Sequence, residues 1–369
     1  MYEKLFEPFQ IDSLQLKNRL TMTPLYLGYA GEGGSVSAPL LEHYRLMAQS
    51  GVALIVVENA TIDYQRGSGS HHTLRVDTDD AIEGLQRLAE TIKKEGSLAC
   101  LQINHAGRFA SAPNPVAPSA VDTFGRMPSA LTKKEIMETQ NNFANAALRV
   151  KKAGFDMVEL HGGTGYLLSE FLSPRTNQRP DEYGGSFENR QRFALEVLSK
   201  VKDAVSPFPV GYRFLADEWL PGGLKIEESA LFARSLASQG IAYLSVMGGT
   251  YESFFLPEIK EKSTKPGYMV DLAAAIKKEV DVPVIAAGLV NSGHLAERII
   301  VEGKADLIGL ARVLWTDPEW PQKVIQGREN EILQCDSCYA CMKLVMKGKP
   351  AFCVRWPLDK QKFWKSKFE

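Results

Sequence analysis

Along residues 18–312, short and almost wholly apolar runs alternate with stretches whose apolar positions recur every three or four residues. The runs are Leu20–Tyr26, Val52–Asn59, Leu98–His105, Met157–Gly162, Val210–Leu215, Tyr243–Gly248, Pro283–Gly288 and Leu307–Arg312, eight in all. A run such as Val52-Ala53-Leu54-Ile55-Val56-Val57 has no polar face, as a strand covered by helices on both sides requires. Between the runs, Thr132 followed by Glu135 fits a capping box, and Ile136, Phe143, Ala147 and Val150 share one helical face before Gly154 stops it. Residues 79–95, 226–239 and 292–303 behave similarly, with Gly96, Gly240 and Gly303 as stops. Eight strands with crossover helices predict an α/β chain folded as a (β/α)8 TIM barrel, its site at the C-terminal strand ends. An open doubly wound sheet is the competing arrangement and would carry a Gly-x-Gly-x-x-Gly turn after an early strand. The sequence has none, since Gly162-Gly163-Thr164-Gly165 lacks the spacing, so no Rossmann NAD or FAD domain is expected.

Composition narrows the function class. Hydrophobic residues make up 44% and charged residues 24%, the mix of a soluble globular protein. With 43 basic and 44 acidic side chains the net charge is -1, which leaves no field for gripping nucleic acid or an anionic membrane. The opening Met1-Tyr2-Glu3-Lys4-Leu5-Phe6-Glu7 has acids where a signal peptide is basic, and no run reaches the roughly 18 apolar residues of a membrane span. A cytoplasmic location is expected.

Polar residues collect at the expected strand ends. Thr23-Pro24-Leu25-Tyr26 follows the first run, Gln102 and Asn104-His105 close the third, and His161 ends the fourth with Thr164 and Tyr166 beyond. Arg213 lies in the fifth, Gly248-Gly249-Thr250-Tyr251 follows the sixth, and Gly288 and Ala311-Arg312 end the last two. A buried arginine and glutamine need partners, because an unpaired buried polar group costs about 1–3 kcal/mol and a charge more. A bound cofactor would supply them.

Several longer runs carry a family resemblance. Asn18-Arg19-Leu20, the segment from Gln102 to Arg108, Ala153-Gly154-Phe155-Asp156, the stretch from Tyr166 to Asn177 continuing from Asp181 to Arg190, and the segment from Ala305 to Arg312 together resemble the old yellow enzyme family of FMN oxidoreductases, in that family's order. The resemblance covers about residues 3 to 325 and implies an FMN site. Backbone groups at Thr23, Pro24, Leu25 and Ala60 would line the isoalloxazine ring, and Gln102 would offer its amide to the pyrimidine edge. Arg213 would face N1 and O2, where negative charge gathers on reduction. The loops at Gly288-Leu289 and Ala311-Arg312 would hold the phosphate.

The resemblance also implies an activity: hydride transfer from flavin N5 to the β-carbon of an alkene conjugated to a carbonyl. His161 takes the first position of the pair that polarises that carbonyl, and Tyr166 the position of the tyrosine that protonates the α-carbon. The second position of the pair departs from the pattern, with Thr164 where histidine or asparagine is common. Tyr26 stands where relatives place cysteine, threonine or histidine beside the flavin. Tyr26, Thr164 and Tyr251 are the candidate substrate contacts.

The cysteines are unevenly placed. Cys335-x2-Cys338-x2-Cys341-x11-Cys353 suits either a 4Fe-4S cube or a tetrahedral zinc ion, and zinc sites more often show two Cys-x2-Cys pairs. The cube is the favoured expectation, and the tail resembles that of the subgroup containing trimethylamine dehydrogenase and 2,4-dienoyl-CoA reductase. The chain is thus divided into an FMN-binding barrel, residues 1–330, and an iron-sulfur-binding extension, residues 331–369. Cys100, within the third strand, reads as packing.

Hydride chemistry moves two electrons together, whereas a cube passes one at a time. Electrons are therefore expected to cross the cluster to or from a partner protein or subunit, with NAD(P)H as direct or indirect donor. Relatives carry a C-terminal FAD and pyridine-nucleotide module, which this sequence is expected to lack. A small-molecule substrate and a homo-oligomer or hetero-complex complete the expectation. Three readings compete with alkene reduction. An amine dehydrogenase or N-demethylase would pass electrons outward, although no cysteine stands near Tyr26 to tether FMN. A non-catalytic FMN and iron-sulfur electron-transfer subunit would tolerate Tyr166→Phe. A flavin-free barrel lyase or isomerase would not purify yellow.

Overall fold

The computed structural model describes residues 2–368. Eight parallel strands close into a barrel. They are β1 (Leu20–Met22), β2 (Leu54–Thr61), β3 (Leu98–Asn104), β4 (Met157–Gly162), β5 (Val210–Asp217), β6 (Tyr243–Gly248), β7 (Val284–Ala286) and β8 (Leu307–Leu310). Ile308 of β8 sits in register with Leu20 of β1, which completes the ring. Every β2 and β4 residue is buried, the polar Glu58, Asn59, Thr61, Glu159 and His161 included, because one face fills the barrel and the other meets the helices. The (β/α)8 expectation holds, and the open sheet is set aside.

Each strand is followed by a helix that packs on the outside. The longest, α1 (Lys133–Lys152), starts on the Thr132–Glu135 capping box, both halves of which are formed, and buries Ile136, Phe143, Ala147 and Val150. It stops at Gly154, whose φ of 79° a side chain would resist. Strand ends differ from the sequence pattern at six of the eight strands: β2 and β5 run two residues past the expected end, to Thr61 and Asp217, β3 stops one residue short, at Asn104, and three others stop earlier still. β1 stops at Met22, β7 at Ala286 and β8 at Leu310, each short of its apolar run. The chain turns out of the barrel there, with Gly288 and Leu289 at φ 110° and 56°. These early exits free the backbone at the barrel mouth.

An antiparallel hairpin, Phe9–Ile11 with Leu14–Leu16, carries Ile11 and Leu16 into the apolar cluster that includes Cys100 and Leu307. Cys100 is buried, 3.7 Å from the Tyr243 hydroxyl, and packs as expected. Residues 331–368 lie against the barrel without leaving its core. Ile332, Ala351, Cys353, Trp356 and Trp364 belong to the same buried cluster as the barrel helices. The amide of Ala351 donates to Leu27 O at 2.9 Å, and Trp364 stacks on Tyr29 at 5.2 Å. Among the described residues no helix is long and apolar enough to cross a membrane.

Candidate active site

Strand register builds the floor of the site. Gln102, Glu159, Gly211 and Tyr243 lie side by side on β3, β4, β5 and β6. Gly211 leaves the gap through which the Tyr243 hydroxyl reaches Glu159 Oε2 at 2.8 Å; a Cβ there would lie 2.2 Å from the tyrosine ring. Gln102 Nε2 donates to Glu159 Oε1 at 2.7 Å, so its carbonyl is the end left for a ligand. Burial pushes the Glu159 carboxyl up, while Arg213, Tyr243 and Gln102 act to bring it down. Two residues further along, His161, Arg213 and Ser245 form the next row. The composition of β4 carried a signal for Glu159, a carboxylate inside an apolar run, which sequence reasoning passed over.

Above this floor a cleft of about 100 Å³ opens between the ends of β7, β8 and β1. Thr23, Pro24, Arg213, Gly288, Leu289, Ala311 and Arg312, all expected at the cofactor, line it together. Leu25 lies on the neighbouring cavity instead, while Ala60 and Gln102 are buried and line neither. Tyr268 and Met269, from the loop after β6, complete the cleft and had no sequence signal.

The donor set suits FMN. Arg213 gives one Nη1 bond to Ser245 Oγ at 2.7 Å, and among the described residues neither Arg213 nor Arg312 forms an ion pair with a carboxylate. Two guanidinium groups left without carboxylates in one cleft call for an anion and an electron-rich edge. At Gly288 a Cβ would lie 2.9 Å from Met269 N, so the backbone is bare where a phosphate would approach.

A second cavity, about 490 Å³, adjoins the cleft. Tyr26, Thr164, Tyr166 and Tyr251 line it with Phe109, Phe124 and Phe255, and among the described residues Arg312 is its only charged one. The Tyr166 and Tyr251 hydroxyls are 2.9 Å apart, and the His161 ring stands edge-on to Tyr166 at 5.0 Å. Burial holds the Tyr166 phenol well above its usual value, with Tyr251 adding to the effect. His161 Nδ1 accepts the Gly163 amide at 3.2 Å, which assigns the ring proton to Nε2. Burial, then Arg213, brings this imidazole down to about 3, so it is neutral. Tyr26 bonds Ser70 through its hydroxyl.

Thr164 departs most from an ordinary site residue. Its φ is 55°, a left-handed conformation that a β-branched residue enters at a cost. Its hydroxyl donates to Gly163 O at 2.9 Å and lies 3.4 Å from His161 Nε2.

The four tail cysteines share one wall. Cys335, Cys338, Cys341 and Cys353 line a third, small cavity with Arg312, Trp315 and Tyr339. None of the four forms a disulfide, and Cys353 is buried while Cys338 is exposed. Among the described residues no three His, Cys, Asp or Glu side chains converge closely enough to hold a single metal ion. Arg312 faces all three cavities, and its Nη1 donates to Ser337 Oγ at 3.3 Å. Sequence reasoning assigned it to the phosphate alone. The wall that Met342, Val345 and Met346 add to the 490 Å³ cavity was also missed.

This constellation, a parallel barrel with a bare-backbone anion cleft beside an aromatic pocket, defines a barrel flavoprotein. Residues 4–331 match the NADH:flavin oxidoreductase / NADH oxidase family, and the chain belongs to it. The flavin-free barrel reading is set aside. The chain is 43% identical over 346 residues to an NADH oxidase of Thermoanaerobacter brockii, covering 91% of this chain and 53% of that one. Among solved structures it is similar to 2-naphthoyl-CoA reductase in complex with 2-naphthoyl-CoA, with a TM-score of 0.92 and 28% identity over 99% of this chain and 58% of that one. It is similar also to histamine dehydrogenase from Rhizobium sp. 4-9, with a TM-score of 0.87 and 31% identity over 98% and 53%. The chain thus spans a little over half the length of these relatives.

Proposed function

We propose that the protein reduces a carbon–carbon double bond conjugated to a carbonyl, in an enone, enoate or enoyl thioester, with electrons supplied through a 4Fe-4S cluster. One observation carries the reading: the Tyr166 phenol, bonded to Tyr251 and edge-on to a neutral His161, faces a large apolar cavity beside the Arg213 cleft. Bound FMN supplies a hydride at N5 and accepts electrons singly or in pairs. Thr23, Pro24, Leu25, Ala60, Gln102, Arg213, Gly288, Leu289, Ala311 and Arg312 would hold it, Ala60 and Gln102 from just behind the cleft wall. Cys335, Cys338, Cys341 and Cys353 would hold the cluster, in the extension 331–369.

The chain's own side chains divide the remaining work. His161 donates Nε2–H to the substrate carbonyl oxygen, drawing electron density from the double bond, and stays uncharged while doing so. Thr164 replaces a stronger donor and is occupied with Gly163 O, so His161 carries most of this polarisation. Tyr166 gives its phenolic proton to the α-carbon, and Tyr251 holds that hydroxyl in place. Hydride and proton together balance the two electrons and two protons that saturation of the bond consumes. Tyr26 narrows the pocket beside the flavin. NAD(P)H feeds the reaction directly or through a partner protein.

A cavity of this size accepts a multi-ring or acyl-chain substrate. Similarity to a reductase bound to an aromatic acyl-CoA supports the thioester class. Tyr26, Tyr166 and Tyr251 also present aromatic faces to which an ammonium could bind, and the likeness to histamine dehydrogenase favours that as a second reading. Among the described residues the cavity has no carboxylate to neutralise a cation, and Arg312 opposes one, so the carbonyl reading is preferred.

Anaerobic purification with flavin and iron counts, followed by turnover assays of unsaturated carbonyl compounds, acyl-CoA esters and N-methylated amines, tests the reading. One FMN, four irons and turnover of the carbonyl class are expected. Turnover of amines alone overturns it. Reduction of the flavin by NADH at turnover rate, with the cluster idle, overturns the electron route.

A further inference from the structure

The tail holds a charge pattern that the site does not use. Between Lys343 and Lys367 the sequence has eight lysines or arginines and one acid, Asp359, a net +7 within a chain of net charge -1. Elsewhere basic side chains are commonly paired, as in Arg45–Glu42, Arg149–Asp79 and Arg234–Glu279. Among the described residues, none of these eight takes part in an ion pair. The segment is also unusually apolar at its surface. Met346, Val354, Leu358, Phe363 and Phe368 are five of the twelve exposed large hydrophobic residues of the described chain. Leu358 is 74% exposed and Met346 62%.

One member of each feature reaches the cysteine cavity, and others pack on its neighbours. Val354 and Arg355 line it directly. Lys360 Nζ lies 4.6 Å over the ring of Trp356, which packs edge-on at 4.9 Å against Trp315 of the cavity wall. Lys365 lies 4.8 Å over Phe352, the neighbour of Cys353. Cys338 is the exposed one of the four sulfurs. Unpaired positive charge around exposed apolar side chains has the make-up of a transient redox interface, with an apolar centre and a charged rim that steers the partner.

We propose that this surface docks a small acidic one-electron carrier protein of the ferredoxin kind. The proposal rests on the reading of the cysteines as a 4Fe-4S site and names the partner which that reading needs. Charge complementarity selects an acidic partner, and a position over the cysteine cavity selects a redox one. Two reduced carriers, each giving up one electron, and two protons balance the saturation of one carbon–carbon double bond.

The test uses the full chain, purified anaerobically with its flavin and iron counted, and an acidic bacterial ferredoxin as probe. Binding is measured by isothermal titration between about 20 and 200 mM salt. One-to-one binding that weakens at least about tenfold across that range is expected. The combined Lys347→Glu, Lys362→Glu and Lys367→Glu variant should lose it, whereas Lys134→Glu, on α1, should not. The three positions are exposed, so retained iron and an unchanged denaturation midpoint show that the fold survives. Absent or salt-insensitive binding overturns the proposal. So does binding to vesicles of anionic lipid, or dimerisation of the chain, that the triple variant abolishes in place of ferredoxin binding. Missing iron defeats the cluster reading itself, whereas full iron without ferredoxin binding defeats only the docking surface.

Discussion

Replacing Tyr166 by Phe removes one oxygen atom and little else. The ring keeps its edge-on packing with His161 at 5.0 Å and its contact with Phe109 at 6.4 Å. The bond lost is the 2.9 Å link to Tyr251, whose own hydroxyl borders the cavity and can turn to water. The stability cost is therefore about 1 kcal/mol. The chemical cost is larger, because a positioned general acid contributes roughly 10²- to 10⁴-fold, or about 3–5 kcal/mol in the barrier. Burial keeps the wild-type phenol protonated across the neutral range, so its proton transfer does not fade as pH rises. The variant must draw the proton from solvent, and its rate should fall with pH. Anaerobic stopped-flow mixing of pre-reduced enzyme with a cyclic enone measures the step, with urea denaturation as the control for folding. A loss below about tenfold, at an unchanged pH profile, refutes the assignment and favours an electron-transfer subunit.

Three further outcomes follow from single features. Thr164→Asn should raise the urea midpoint by the equivalent of about 0.5–1 kcal/mol, since asparagine enters the left-handed region more readily than a β-branched residue, and should speed reduction by adding a carbonyl donor. Gly211→Ala should cost about 2–4 kcal/mol, because the new Cβ meets the Tyr243 ring and displaces its bond to buried Glu159; an unchanged midpoint contradicts the strand-row geometry. His43 and His161, brought by burial to about 3, and His105, to about 4, are neutral in the fold, so stability falls as pH drops below about 6.5, while Glu58 and Glu170, raised by burial to about 8, lose stability as pH rises from about 4.5. The opposed slopes place the maximum near pH ~6.5, with a decline on the order of 2–3 kcal/mol per unit towards pH 8 from the two carboxyls; a urea midpoint that rises over that interval contradicts this.

The barrel was legible because its two periodicities differ in kind. A strand buried on both faces reads as an unbroken apolar run, and a helix on its surface reads as a stripe closed by a cap and a glycine, so β2, β4 and α1 could each be placed from the sequence. The exits from the barrel were not legible in the same way. Pro283–Gly288 and Leu307–Arg312 continue past the last paired residue through Ala287, Gly288 and Ala311, small residues that fit a half-buried turn as well as a strand, and only Ala287 of the three stays buried. Hydrophobicity reports burial and not hydrogen bonding, and the bare backbone at Gly288 depends on that difference.

Within the site, the longest motif has mostly a scaffolding role. From Tyr166 to Arg190 only Tyr166 lines the large cavity. Ser173 bonds Glu218 at 2.8 Å, Asn177 bonds the carbonyls of Phe171 and Tyr183, and Arg190 bonds Leu172 O at 2.9 Å. Glu170 receives the Arg108 amide, while Arg108 and Arg175 clamp Glu252, the neighbour of Tyr251. The run is dense in polar residues because it must satisfy buried donors and acceptors while bringing Tyr166 and Tyr251 within hydrogen-bond distance. A motif read one residue at a time suggests many ligand contacts, whereas this one mainly fixes a single hydroxyl pair. Arg312 shows the converse. One side chain, assigned to a single phosphate, stands where cleft, pocket and cysteine cavity meet, and no linear pattern records that convergence. The residues that join the three cavities come from the sixth loop, the eighth strand end and the tail, which only closure of the barrel brings together.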